Sequence, residues 1–303
     1  MPSEAERHAI AIHVEGEDQQ PWLRAFRAAF PHWRVLRRDE IDARAIREVA
    51  MAVVWAPPPG FLGQFPNLRQ IVSIGAGTDH LSSDPSRPPD IPVLPRQEPT
   101  STRTMAEFVL MQVLMHHRRI GESLVDRAAR RWAPEPRGPV AGLQISMLGF
   151  GPMAQATAEL LLQFGCAVTA WSRTQRPGAA IVVRAGWAAV DSMFEEADIL
   201  VNLLPSTEET RGLIDARRMR LLPRGAAFIN VGRGDVVNQA EMLRLLDSGH
   251  LSFAYLDVLS TEPPAADDPI WTHPRVILTP HVASSPIPAL FAEWVATIVR
   301  LDA

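Results

Sequence analysis

Residues 142–174 constrain this chain more than any other stretch. Residues 145–148 are an apolar run of strand length, followed at once by Gly149, Gly151 and Ala154 in the order G-F-G-P-M-A. Apolar positions then switch to helical spacing at Met153, Ala156, Leu160, Leu161 and Phe164. Gly165 stops that helix, and residues 167–171 read as a second buried strand. Strand, glycine turn, helix and strand in about 30 residues form the βαβ unit that binds dinucleotides. Gly149 permits the tight turn, Gly151 lets the backbone approach a pyrophosphate, and Ala154 stands where a third small residue packs helix on strand. Pro152 fits the first helical turn, where its missing N–H costs nothing. The N–H groups and dipole at such a helix start favour bound phosphate. An ordinary glycine turn is the alternative, and both strands and the helix being in place argue against it.

The end of the second strand bears on the choice of cofactor. A unit that binds NAD usually carries Asp or Glu there, to hold the ribose 2′-OH. This chain has Ser172, Arg173 and Thr174, with no acidic residue before Asp191. A carboxylate would repel a 2′-phosphate, whereas an arginine with neighbouring hydroxyls attracts one. The expectation is NADP(H), helped by Arg176, with NAD(H) possible. The alternative is that Arg173 is only a solvated side chain.

Composition narrows the rest. A chain of 303 residues, 47% of them hydrophobic, can bury a large core in one or two domains. A formal net charge of −4 does not favour nucleic acid or an anionic membrane. No apolar run reaches the roughly 18–20 residues of a spanning helix. The charged start, MPSEAERHAI, is not expected to be a signal peptide. The single cysteine, Cys166, excludes an internal disulfide and suits a reducing compartment. A soluble, cytoplasmic protein is expected. All 30 basic residues other than histidine are arginine, which excludes Schiff-base, P-loop or Ser–Lys chemistry. No metal site is expected.

Strands and helices alternate from the start: strands over 8–14, 33–36, 51–55, 71–74 and 92–94, helices over 22–30, 41–49 and 61–68. This predicts a doubly wound parallel sheet of its own for the first part. Gly75, Ala76 and Gly77 follow the fourth strand at its carboxyl edge, where exposed amides suit a small carboxylate, or where a plain turn suffices. A long helix over 100–118 follows, then an arginine-rich stretch containing Trp132 that reads as a solvated face or a contact arm. Further strands are expected over 181–184, 199–204, 226–231, 253–258 and 276–278, with helices over 191–196, 215–222 and 239–247. The last helical segment, residues 287–301, is placed back on the first domain. The predicted architecture is α/β with two doubly wound parallel-sheet domains. A Rossmann cofactor domain, 101–284, is inserted in a flavodoxin-like substrate domain, 1–100 and 285–303. Arg233, Glu262 and His281 each follow a late strand and can face the glycine loop. Singly each is unremarkable chemistry for a loop, but as a set after a dinucleotide motif they suggest a reaction centre.

The motifs V-V-W-A-P-P, G-A-G-T-D-H, M-A-E-F-V-L, G-F-G-P-M-A, A-W-S-R-T and N-L-L-P-S-T-E-E-T run in order along the chain. N-V-G-R-G, L-D-V-L-S-T-E-P-P, W-T-H-P-R-V and T-P-H-V-A complete the series, which spans residues 53–283. Together they resemble the D-isomer-specific 2-hydroxyacid dehydrogenases, most closely the glyoxylate/hydroxypyruvate reductase A branch. The resemblance implies reduction of small 2-keto acids to 2-hydroxy acids. His281 would be the acid that protonates the keto oxygen, and Glu262 would hold its imidazole and favour the protonated form. Arg233 would pair with the substrate carboxylate and polarise the carbonyl. Ala76 and Gly77 amides would anchor that carboxylate, and Trp55 would favour small acids. Gly149, Gly151, Pro152, Met153 and Ala154 would line the cofactor with Ser172, Arg173 and Thr174. Leu204, Pro205, Val231 and Gly232 would complete that lining, and Asp257 would hold the nicotinamide amide. Many members are homodimers through the region of the long helix, so a homodimer is expected. A phosphoglycerate- or D-lactate-type dehydrogenase, or an NADP(H)-sensing protein without catalysis, are the competing readings.

Overall fold

Strands such as AIAIHV and VAMAVVW carry apolar side chains on both faces, so they satisfy their chemistry only in the middle of a layered sheet. The computed structural model describes residues 8–82 and 84–299. The chain divides into two units, one made of the residues up to Glu98 with those from Pro286 onward, the other of Pro99–Ser285.

The first unit contains β1 (Ala9–Val14), α1 (Gln20–Ala29), β2 (Arg34–Arg37), α2 (Ala45–Glu48), β3 (Val49–Trp55), β4 (Gln70–Ser73), α3 (Asp79–Ser82) and β5 (Val93–Leu94). Its five strands are parallel in the order β2-β1-β3-β4-β5, the flavodoxin-like arrangement. Alternate residues of β1 enter opposite cores. Ile10, Ile12 and Val14 pack with Trp22, Leu23 and Phe26 of α1, while Ala9 and Ala11 pack with Phe61, Leu62 and Phe65 on the other face.

The second unit begins with α4 (Pro99–His117) and α5 (Ile120–Ala128). It continues through β6 (Gln144–Leu148), α6 (Pro152–Gln163), β7 (Ala167–Ser172), β8 (Val182–Ala185), α7 (Ser192–Glu195) and β9 (Ile199–Asn202). After α8 (Ala216–Met219) come β10 (Ala226–Asn230), α9 (Gln239–Asp247), β11 (Leu251–Leu256) and β12 (Val276–Leu278), and α10 (Pro288–Ile298) returns to the first unit. The seven strands are parallel in the order β12-β11-β10-β9-β6-β7-β8, with β6 and β9 at the reversal of strand order. Met105, Ala106, Val109 and Val113 of α4 pack with Ala154, Ala158 and Leu161 of α6 against one face of this sheet. The other face is covered by Met193, Phe194, Met219, Met242 and Leu246.

Three expected elements differ. Residues 61–68 form successive tight turns instead of a helix, with hydrogen bonds from Phe61 N to Pro58 O, Phe65 N to Leu62 O and Leu68 N to Phe65 O. Gly63 abuts the Ser86 carbonyl and Pro66 has no N–H, so the apolar spacing is met by turns. In place of a helix over 41–49 there is one turn, α2, because Asp42 Oδ1 accepts from Arg44 N and Ala45 N and the chain is already extended at Val49. The arginine-rich stretch includes a helix the periodicity did not reveal, α5, followed by an irregular exposed run on which Trp132 is 94% exposed. The expected final helix, 287–301, is present as α10; residues 300 and 301, like residues 1–7 of the leader reading, lie outside the described residues. No described helix is long and apolar enough to cross a membrane.

α10 supplies Phe291, Ala292 and Val295 to the core of the first unit, where the Phe291 ring meets Trp22 at 5.8 Å and Phe26 at 6.2 Å between centroids. Phe291→Ala should lower stability by about 3–5 kcal/mol in urea unfolding. A loss below about 1 kcal/mol would mean that α10 is not integral to that core.

Candidate active site

The glycine turn is built as its residue types require. Gly149 has φ +104°, its N–H donates to Trp171 O at 3.0 Å, and a Cβ there would press on the Leu203 carbonyl at 3.1 Å. Gly151 is extended, caps α6, and has open space where a Cβ would stand. Pro152 is the first residue of α6, Met153 is half-buried, and Ala154 is buried against the sheet. At the end of β7, Ser172 is buried while the Arg173 side chain is 66% exposed. A cavity of about 240 Å³ runs along this edge, lined by Gly149, Phe150, Ser172, Arg173, Thr174, Arg176, Leu204 and Pro205 among others. Trp171 and Trp187 form its wall, their rings 5.0 Å apart. Backbone freedom at Gly149, open space at Gly151, a helix start and two arginines fit a dinucleotide phosphate and its ribose.

Beyond β9 and β10, two buried asparagines organise the loops. Asn202 Nδ2 donates to Asn230 Oδ1 at 2.8 Å, Leu204 N donates to Asn202 Oδ1, and Gly232 N donates to Asn230 Oδ1. Both side-chain amides also reach the Arg233 carbonyl, at 3.4 and 3.3 Å. Gly232 and Gly234 leave no room for a Cβ, the first against Leu204 and the second against the Leu259–Ser260 backbone. The Arg233 loop is thereby pressed onto the loop that carries Glu262. Sequence reasoning did not single out Asn202 or Asn230. Their signal was a polar residue ending each of two otherwise apolar strands, ILVN and AAFIN.

His281 Nδ1 lies 2.7 Å from Glu262 Oε2, and Leu259 N donates to Glu262 Oε1 at 2.8 Å. Burial opposes ionisation of Glu262. Hydrogen bonds from His281 and Leu259 N–H, with the charges of His281 and Arg233, outweigh it and hold the carboxyl below its ordinary value. Arg233, Glu262 and His281 are thus brought together in one unit. His281 has φ +56°, a left-handed conformation that costs an L-residue about 1–2 kcal/mol. Asp257, 2% exposed, holds that conformation in place. Its carboxylate accepts from Thr279 Oγ1 at 2.7 Å, Val282 N at 2.9 Å and Ala283 N at 2.9 Å, and its carbonyl accepts from His281 N at 2.9 Å. The Asp257 carboxylate thus organises the histidine loop.

In the first unit, Trp55 ends β3 with its ring over Gly75, where no Cβ would fit. His80 braces both: its ring lies 4.5 Å from that of Trp55, Ala56 N donates to Nδ1 at 3.1 Å, and Ser73 Oγ is 2.9 Å from Nε2. Ser73 Oγ also donates to the Gly75 and Gly77 carbonyls, at 3.0 and 3.3 Å. In a trans peptide the N–H points opposite the preceding C=O, so the Ala76 N–H is turned away from Ser73. His80 was visible in sequence only as the last letter of G-A-G-T-D-H.

The contribution of the Glu262 carboxylate to stability has a definite sign. A carboxyl lowered on folding stabilises above its ordinary value, 4.5, and that stabilisation is lost as pH falls through the lowered one. The stability gap between the wild type and Glu262→Gln should therefore shrink below pH 4.5 in urea unfolding. A gap of constant size down to the acid limit of folding would assign the effect to packing.

The family model for the D-isomer specific 2-hydroxyacid dehydrogenase NAD binding domain matches residues 110–283. A D-isomer specific 2-hydroxyacid dehydrogenase from Xanthobacter autotrophicus Py2, solved in complex with NADPH and MES, is 36% identical. The match covers 96% of this chain and 93% of that one, with a TM-score of 0.90. An NADPH-dependent glyoxylate/hydroxypyruvate reductase from Sinorhizobium meliloti, in complex with NADP and sulfate, is 31% identical over 94% of this chain and 92% of that one, with a TM-score of 0.86. A probable 2-hydroxyacid dehydrogenase from Rhizobium etli CFN 42, in complex with NADP, HEPES and L(+)-tartaric acid, is 30% identical. It covers 94% of this chain and 92% of its own, with a TM-score of 0.85.

Proposed function

The chain belongs to the D-isomer specific 2-hydroxyacid dehydrogenases, NAD(P)-dependent oxidoreductases, and from that premise we propose that it reduces small 2-keto acids such as glyoxylate and hydroxypyruvate with NADPH. The observation that carries the reading is the 2.7 Å contact of His281 Nδ1 with Glu262 Oε2, in the unit that holds the glycine turn and Arg233. A bound nicotinamide supplies the hydride. Glu262 accepts from Nδ1–H and fixes the ring, so the proton given to the keto oxygen is the one on Nε2. Arg233 pairs with the substrate carboxylate and polarises the carbonyl as negative charge gathers on oxygen. In the first unit, the Ala76 and Gly77 amides are a carboxylate anchor, and Trp55 limits the size of the side chain. Asp257 keeps His281 in its left-handed conformation.

Gly149 to Ala154 take the pyrophosphate, while Leu204, Pro205, Val231 and Gly232 line the cofactor. Ser172, Arg173 and Thr174 read the 2′-phosphate. The last assignment is supported by the absence of a carboxylate at the end of β7 and by the two arginines on the cavity there. The NADP(H) complexes of the X. autotrophicus, S. meliloti and R. etli proteins are in keeping with it. Cys166, buried and unbridged, suits a reducing cytoplasm.

Purified protein should oxidise NADPH faster than NADH, followed at the nicotinamide absorbance, with glyoxylate or hydroxypyruvate in preference to pyruvate or phenylpyruvate. His281→Ala should lower turnover by about 10² or more with cofactor affinity nearly intact. Unchanged turnover would remove His281 as the acid. Tight NADPH binding without turnover of any acid would leave a sensor.

The homodimer belongs to the same reading. Met111, Ile120 and Leu124 are exposed on α4 and α5, beside a cavity of about 490 Å³ lined largely by Leu110, Met111, Leu114, Met115 and Ile120. Such an apolar face suits a second copy. Sedimentation should give twice the chain mass, and Met111→Glu with Ile120→Glu should give one; a wild-type monomer at micromolar concentration would refute the dimer.

A further inference from the structure

Resting on the reading of Arg173 as a reader of the 2′-phosphate, we propose that Glu209 sets the balance between NADPH and NADH by competing with that phosphate for the Arg173 guanidinium. Arg173 Nη1 donates to Glu209 Oε2 at 2.9 Å, and both residues line the cavity at the end of β7. The two side chains come from loops at the same carboxyl edge of the sheet, one after β7 and the other after β9, the strands on either side of β6. Glu209 rides on a stiffened turn. Thr210 Oγ1 donates to Pro205 O at 2.6 Å, Thr207 N donates to Thr210 Oγ1 at 2.8 Å, and Thr210 N donates to Thr207 Oγ1 at 3.2 Å. The turn therefore delivers the carboxylate to one place. The neighbouring Arg211 Nε donates to Asp235 Oδ2 at 3.3 Å and Arg176 Nε donates to Ser172 Oγ at 3.3 Å, so the recorded ion pair of Glu209 is with Arg173.

The Arg173 guanidinium that would hold a phosphomonoester thus already faces an anion. A phosphomonoester carries a charge of about −1.5 to −2 at neutral pH and offers three acceptor oxygens, so it outcompetes a single carboxylate for the arginine. The displaced Glu209 then stands beside the phosphate as a like charge. With NADH there is nothing to displace. Arg173 and Glu209 stay paired, and the carboxylate stands where it can accept from the ribose 2′-OH, as the acidic residue at the end of this strand does in NAD-binding units. One side chain then acts in opposite directions on the two cofactors: it weakens the phosphorylated one and supports the other. Both side chains are at least half exposed, so the effect is modest and falls with salt.

Calorimetric titration of the full-length wild type and Glu209→Gln with NADPH, NADH, adenosine 2′,5′-bisphosphate and AMP tests this without turnover. Glu209→Gln should bind NADPH and the bisphosphate about 2- to 5-fold more tightly, the range an exposed ion pair represents. It should bind NADH equally or more weakly, which also reports that the variant is folded. An NADPH-to-NADH affinity ratio unchanged by the substitution would overturn the proposal, even where the wild type prefers NADPH and the reading of Arg173 stands. A wild type with no preference leaves the ratio in Glu209→Gln to decide: a rise keeps Glu209 as the competitor at Arg173, and no rise removes it.

Discussion

The amide–amide hydrogen bond between Asn202 and Asn230 holds the carboxyl edge of the seven-stranded sheet in register. Parallel strands end in loops whose first peptide groups have no ladder partner, and buried ones must find one. Asn202 and Asn230 take up those groups at Leu204, Gly232 and Arg233, and so fix where both loops leave the sheet. Gly232 and Gly234 then let the loops approach to backbone contact. Arg233 stands near Glu262 because of these small contacts beneath it, none of which involves the guanidinium itself.

The same division runs through the histidine loop. Glu262 and His281 are more than a third exposed, whereas Asp257 behind them is almost fully enclosed. A buried carboxylate is tolerable only with donors around it, and here the donors are the amides and hydroxyl of the loop it organises. The exposed pair keeps its geometry because the buried carboxylate fixes the backbone beneath it. The first unit uses a neutral version: Ser73 and His80 brace Trp55 and the turn from Gly75 to Gly77.

Much of this was legible in the sequence because periodicity and glycine report local backbone demands. The two parallel sheets follow from unbroken apolar runs separated by helical spacing, and Gly149 marks a turn that other residues strain. Arg233, Glu262 and His281 were visible because each follows a strand. Spacing could not tell a helix from stacked turns over 61–68, where Gly63 has to clear Ser86, a contact between segments distant in sequence. Nor could it show that Asp257 serves the loop after β12 or that Glu209 meets Arg173 across 36 positions. Those pairings exist only once strand order is known, and a local pattern carries no strand order.

The first unit is written in two pieces, with the whole of the second between them. Phe291, Ala292 and Val295, three residues of its core, leave the ribosome only after the whole of the inserted unit. The inserted unit is continuous in the chain and can close its own core as soon as it is made, while the segment made first waits. Until α10 arrives, Trp22 and Phe26 lack the partner they are built to meet. Synthesis therefore runs in one order and completion in another. A product truncated before Pro288 would carry a finished second unit on an unfinished first unit.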